Sequence, residues 1–328
     1  MQNKLLIKIF FLFCFFIHLT NVNSSEQFNF DVTKIEITED GNRFTGLDRG
    51  KISTSDGLII KADSFDYYKN TNILKARGNI IIYDEIKEVW IYSEKLTYLK
   101  NEGKIFTEKN SKAVHKNYEI TANRFSYNEI TNIIKADDNV KSFDNLKNII
   151  LYSERATYLI NENKIYTEDK SKLIDQDLII TANKFYYNKV LNILKAEQKV
   201  TIKDSLKDVL IFSDDITYFK NDDKIKTKGS TKALIESKYD FLSSDVLFLR
   251  KTQELISSSW TRIINENKEA YESDGFTYLI EEKLLKGSNV KVTSDINVKE
   301  AEAEHLKLKN GFFNLAKKTL KASEAEIF

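Results

Sequence analysis

One spacing pattern returns eight times in this chain, at intervals of roughly thirty residues, and it fixes what the chain can fold into. Each copy reads small residue, two any, apolar, one any, aromatic, six any, apolar, one any, small residue. The aromatic slot holds Tyr67, Tyr98, Tyr127, Tyr158, Tyr187, Tyr218, Phe248 and Tyr278. The apolar slot that follows holds Leu74, Ile105, Ile134, Ile165, Leu194, Ile225, Leu255 and Leu285. Even the closing small slot keeps its size, with Ala76, Thr107, Ala136, Thr167, Ala196, Thr227, Ser257 and Gly287. Such a chain stacks one supersecondary unit on itself, each copy burying the face its neighbour leaves bare.

The copies alternate in detail. Phe65, Phe125 and Phe185 go with Ala62, Ala122 and Ala182, whereas the copies between them carry Ser93, Ser153 and Ser213 with Leu96, Ala156 and Ile216. The structural repeat is therefore a pair of copies. It is clearest over residues 57–230 and degenerate over 231–328, where a partial ninth copy appears at Ala303, Leu306 and Leu308.

Within one copy, Ile59 to Tyr68 is β-branched and aromatic, Lys69-Asn70-Thr71-Asn72 is a turn, and Ile73 to Tyr83 is strand-like again. Two strands meeting at a short polar connection form an antiparallel hairpin. Leu74, Ala76, Gly78, Ile80 and Ile82 then share one dry face, and Lys75, Arg77 and Asn79 share a wet one. The odd spacing of Ala62 and Phe65 requires a bulge between them or an alanine that serves the opposite surface. Eight copies of two strands give sixteen strands or more. The expected fold is all-β: an elongated stack of antiparallel strands with an apolar interior running end to end. Helix competes at one place, Lys299 to Lys307.

Proline is absent and glycine is held to ten residues, a composition that long ladders favour because proline removes a donor. Fifty basic and forty-nine acidic residues leave a net charge of +1, spread evenly, which argues against a nucleic-acid partner. Residues 1–24 have the layout of a secretory signal: Lys4 and Lys8, an apolar stretch from Ile9 to Leu19, then small and polar residues up to Ser24. That stretch is shorter than the roughly 20 residues a spanning helix needs. The remainder, 25–328, reads as one repeat domain. The single cysteine, Cys14, sits in the signal, so export without disulfides suits a bacterial envelope.

Catalytic chemistry finds no foothold, and an enzyme is not expected. No serine elbow or phosphate loop is present, and the histidines of the repeat domain, His115 and His305, are far apart and expected at surfaces or turns. Asp137-Asp138, Asp214-Asp215 and Asp222-Asp223 lack the glycine-spaced loop of calcium sites. No metal or cofactor is expected. What remains is the interior stripe: Phe65, Tyr67, Leu74, Tyr98, Ile105, Phe125, Tyr127, Ile134, Tyr158, Ile165, Phe185, Tyr187 and Leu194. Two readings stay open: an ordinary filled core, or an apolar groove that accepts a chain-like ligand, with tyrosine at its rim because its ring is apolar and its hydroxyl seeks a polar partner.

The stretch from Gly57 to Tyr67, GLIIKADSFDY, followed by Asn72 to Asn79, NILKARGN, resembles the repeat of OstA-like domains, and the wording returns at 120–139 and 180–200. The family forms β-jellyrolls, also called β-tacos. It includes the periplasmic bridge LptA, its partner LptC and the N-terminal domain of the translocon LptD. The resemblance implies lipopolysaccharide transport: acyl chains sliding along the thirteen stripe residues towards the outer membrane, with no cofactor. It also implies a periplasmic location at the outer membrane, and head-to-tail β-augmentation with like-folded Lpt proteins through strands around Phe30 to Ile37. The length and the opening Phe28 to Asp31 point to the periplasmic part of LptD, in which case a barrel and an LptE-type lipoprotein would complete it. The alternatives are a free-standing LptA-type bridge or a non-catalytic β-solenoid adhesin with a filled core.

Overall fold

The computed structural model describes residues 28–298 and 304–327. The signal segment lies outside them, as does most of the stretch where helix competed, and that stretch resumes as the strand His305–Asn314. The described residues form 24 strands of a single antiparallel sheet, with no α-helix and only single turns of 3-10 helix at Glu39–Gly41 and Lys100–Glu102. In the centre, from Ile73–Asp84 to Lys224–Ile235, every strand has 11 or 12 residues and pairs with the strand before and after it. Towards both ends strands are split in two, as in Leu58–Ala62 and Ser64–Tyr68, which raises the number above the sixteen counted from whole strands.

Each central strand is folded at its middle. A straight strand of twelve residues would hold its ends roughly 40 Å apart, yet Tyr127, beside one row of turns, bonds Asp84, beside the other, at 2.8 Å. The bend sits where two successive residues adopt left-handed backbone, at Gly78 and Asn79 (φ 76° and 47°) and again at Asp138 and Asn139 (φ 66° and 57°). The ladder register shifts there, between Arg77 and Ile80 on one strand. Strands running the opposite way shift the phase of burial at the same place, so Ala122 and Phe125 both face inwards. The odd spacing of Ala62 and Phe65 has this cause: a one-residue break at Asp63 turns both side chains into the interior.

The bend explains the small-residue slot. It carries a spine of buried hydroxyls: Ser93 Oγ donates to the Glu108 carbonyl at 2.8 Å, Ser153 Oγ to that of Glu168 at 2.7 Å, and Thr107 Oγ1 to Ser111 Oγ at 2.8 Å. The two serine bonds satisfy carbonyls at the bend, and the threonine bond links one hydroxyl of the spine to the next. The cross-section is thus a V, with the bend as its apex and the two rows of turns as its lips.

The ends of the stack differ. At the N-terminal end Phe28 packs edge-on against Tyr67 (4.9 Å between ring centroids) and Tyr98 (5.8 Å), closing the interior with aromatic rings. The C-terminal strand Thr319–Ile327 is exposed at every position and pairs only with His305–Asn314. The first strand, Asn29–Thr38, likewise pairs on one side only, with Arg43–Ser53.

Candidate functional site

The aromatic and apolar slots of the repeat meet as one continuous row. Tyr67 stands opposite Leu74, Leu74 opposite Tyr98, Tyr98 opposite Ile105, and Ile105 opposite Tyr127. The alternation continues through Ile134, Tyr158, Ile165, Tyr187, Leu194 and Tyr218, reaches Leu285 opposite Phe313, and runs out at the exposed Leu320 opposite Phe313. Strands approaching one lip supply the aromatic and strands leaving it supply the aliphatic, which is why the sequence keeps both slots. Phe65, Phe125 and Phe185 lie two positions further towards the apex, opposite Ala76, Ala136 and Ala196. Large thus faces small across the ladder.

Of the thirteen stripe residues, twelve are at most 2% exposed and Tyr67 is half-buried. Each contributes on the order of 1.5–3 kcal/mol by burial. Among the described residues the stripe is a packed seam.

What closes the interior on its open side was not foreseen. Along each lip the turns are joined lengthwise by backbone bonds: Lys100 N–H to the Asn72 carbonyl and Ile160 N–H to that of Asn132 on one lip, Glu85 N–H to that of Gly57 and Asn145 N–H to that of Asn117 on the other. Between the lips, among the described residues, the bonds come from side chains. Tyr127 Oη donates to Asp84, and Tyr218 Oη to Asp175, both at 2.8 Å. Tyr158 Oη lies 2.8 Å from His115 Nδ1. Lys220 reaches Asp175 at 2.6 Å, and Arg250 reaches Asp204 at 2.8 Å while also binding Asp223. Lys87 Nζ donates across to the Glu129 carbonyl at 2.6 Å, and along the same lip Tyr98 Oη donates to the Glu129 carboxylate at 2.6 Å.

These partners carry the electrostatic signature of a dry seam. Burial first, and the Asp84 carboxylate second, push the Tyr127 phenol well up; Tyr218 behaves alike beside Asp175. Burial raises the Glu129 carboxyl above its ordinary range, and burial with Lys116 and Lys189 nearby lowers His115. His115 corrects the sequence expectation of a surface or turn histidine: it is buried in the seam. A signal for it existed. Asp84, His115, Asp144, Asp175 and Asp204 end every second strand in phase with the repeat, but the partners of Asp84, His115, Asp175 and Asp204 across the mouth lie 43 to 46 residues away, a separation that no multiple of the repeat suggests.

The chemistry available is that of a packed apolar row under a polar closure. Among the described residues no three His, Cys, Asp or Glu side chains converge as a metal site.

No family model matches the chain, and no curated protein matches it either. Among solved structures it is similar to LptH from Pseudomonas aeruginosa, described as the LptA homologous periplasmic component of the conserved lipopolysaccharide transport device. That likeness has 16% identity and a TM-score of 0.21, and covers 44% of this chain and 85% of that one. A second likeness, to Hsv2 from Kluyvelomyces marxianus, has 9% identity and a TM-score of 0.12 over 91% of this chain and 99% of the other. At these scores neither carries an argument about function.

Proposed function

We propose that this protein conveys the acyl chains of a lipopolysaccharide-type lipid through the envelope, as a periplasmic Lpt-type slide that opens along its seam. The observation that carries the reading is the closure itself. Lips held lengthwise by backbone and crosswise by side chains part without breaking any ladder, and what they uncover is an unbroken apolar row. Each side-chain bond across the mouth is worth about 0.5–1.5 kcal/mol net, a cost that burying a few methylenes of an acyl chain offsets at about 0.8 kcal/mol each. Among the described residues the strands Asn29–Thr38 and Thr319–Ile327 each leave one edge unpaired, which suits head-to-tail β-augmentation by like-folded partners. The resemblance of the repeat to OstA-like sequences supplies the lipid class, and the chain's length favours the periplasmic part of an LptD over a free-standing bridge.

A photo-crosslinker placed in turn at Tyr127, Ile165 and Tyr187, in cells that make lipopolysaccharide, tests this. Capture of the lipid at all three positions is expected. Capture at none, with the protein folded and exported, refutes the reading and leaves the filled-core adhesin.

A further inference from the structure

The seam is not uniform. Two residues after the aromatics Tyr218 and Phe248, the lip carries a cation that faces a carboxylate of the other lip: Lys220 on Asp175 and Arg250 on Asp204, both as ion pairs. Lys189 holds the same place relative to Asp144, yet no such pair forms within 4 Å. Its ammonium instead lies 3.9 Å from the centre of the Tyr118 ring and 5.1 Å from that of Tyr158. Lys147 stands between, 3.8 Å from Asp144 and with its Nζ donating to the Lys189 carbonyl. Lys116 follows His115 on the same lip and acts on Lys189 as a third like charge.

Nor is the tyrosine bond made here. Tyr187 occupies the place of Tyr127 and Tyr218, is 2% exposed, and its hydroxyl has no hydrogen-bond partner. Three ammonium groups, Lys116, Lys147 and Lys189, gather around the carboxylate of Asp144, with Lys220 acting on Lys147, Glu88 on His115 and Asp175 on Tyr187 from either side, and positive charge is in local excess. His115 adds no charge at neutral pH, since burial and the lysines lower its pKa.

We propose that the middle of the seam, between Lys147, Lys189 and the Tyr187 hydroxyl, binds a phosphate monoester. A phosphate monoester near pH 7 carries about −1.5 to −2, opposite in sign to the excess, and its oxygens accept from ammonium and phenol alike. Lys189 is the responsive element. Burial lowers its pKa to about 8 against the pull of Asp144, and Lys147 and Lys116 add smaller pushes in the same direction as burial. It is charged at pH 7, largely neutral above pH 9, and an anion beside it holds the proton on. Binding therefore weakens on the alkaline side, although the phosphate itself is then fully dianionic. The inference deepens the reading above by giving a headgroup a place beside the acyl row, and depends on it only if the phosphate belongs to a lipid.

Isothermal titration of the purified chain with inorganic phosphate and, separately, with dodecyl phosphate at pH 7 and 9.5 tests it. At least one probe is expected to bind saturably at pH 7 and roughly tenfold more weakly at pH 9.5. Lys189→Met and Lys147→Met lower affinity by a similar factor, Lys189→Arg restores it and removes the pH effect, and Lys226→Met on the outer face changes nothing. Much tighter binding of dodecyl phosphate supports a lipid headgroup; equal binding supports free phosphate. No saturable binding of either probe, or binding that Lys189→Met leaves intact in a folded protein, overturns the proposal. Inorganic phosphate needs no apolar row, so its result stands apart from lipid capture at Ile165.

Discussion

The Tyr218 hydroxyl donates to the Asp175 carboxylate at 2.8 Å, joining residues 43 positions apart across the mouth of the V. Lys220 bonds both oxygens of the same carboxylate, at 2.7 and 2.6 Å, so Asp175 is the anchor of a small network. Tyr218→Phe removes one bond and leaves the carboxylate satisfied by Lys220. A loss of about 1 kcal/mol is expected, with faster amide exchange at the turns 176–177 and 220–223 and unchanged exchange at the apex.

Arg250 and Asp204 form the most enclosed ion pair of the seam, with side-chain exposures of 13% and 0%. Removing one partner strands the other charge away from water. Arg250→Met is expected to cost roughly 3–5 kcal/mol in chemical unfolding, whereas Lys232→Met, which removes the exposed pair with Asp240, costs under about 1 kcal/mol.

Leu194 stands between Tyr187 and Tyr218 in the interior row and is 1% exposed. Leu194→Ala leaves a cavity between two rings that cannot close over it and is expected to cost about 2–5 kcal/mol. The outward neighbour Lys195 provides the contrast: Lys195→Ala stays within about 0.5 kcal/mol. Thermal unfolding of both variants checks the inward and outward assignment.

His115 gives the seam a pH dependence of known sign. Its pKa is lowered from 6.5, first by burial and then by Lys116 and Lys189, with Glu88 opposing. The folded state binds the proton less readily than the unfolded chain, so the contribution is fully present above about pH 6.5 and is lost as pH falls through the lowered value. Between pH 7.5 and 5, wild type is expected to lose melting temperature relative to His115→Gln, whose amide oxygen keeps an acceptor for Tyr158. Parallel melting curves for the two proteins contradict the assignment.

The row of tyrosines and leucines was legible because a period of two along each strand and a repeat of roughly thirty residues reinforce one another. The apex was half legible. The spacing of Ala62 and Phe65 showed that the strand breaks phase, but the left-handed pair that bends it, occupied by Gly78 and Asn79 in one copy and Gln198 and Lys199 in another, has no single residue signature. The seam was not legible as a contact. Asp84 and Tyr127 are each regular in the sequence, but their meeting depends on how far the sheet folds over, which is a property of the whole stack.

Conveying lipid requires the lips to part, and a distance across them reports that parting most directly. Nitroxide labels at Gln176 and Asn221 flank the contact of Asp175 with Tyr218; labels at Asn192 and Asn221, whose amides already bond along one lip at 2.7 Å, report on that lip alone. Pulsed electron resonance on adding lipopolysaccharide is expected to shift the first pair to longer distances and leave the second unchanged. Lipid bound at saturation with the first distance unmoved would contradict the account.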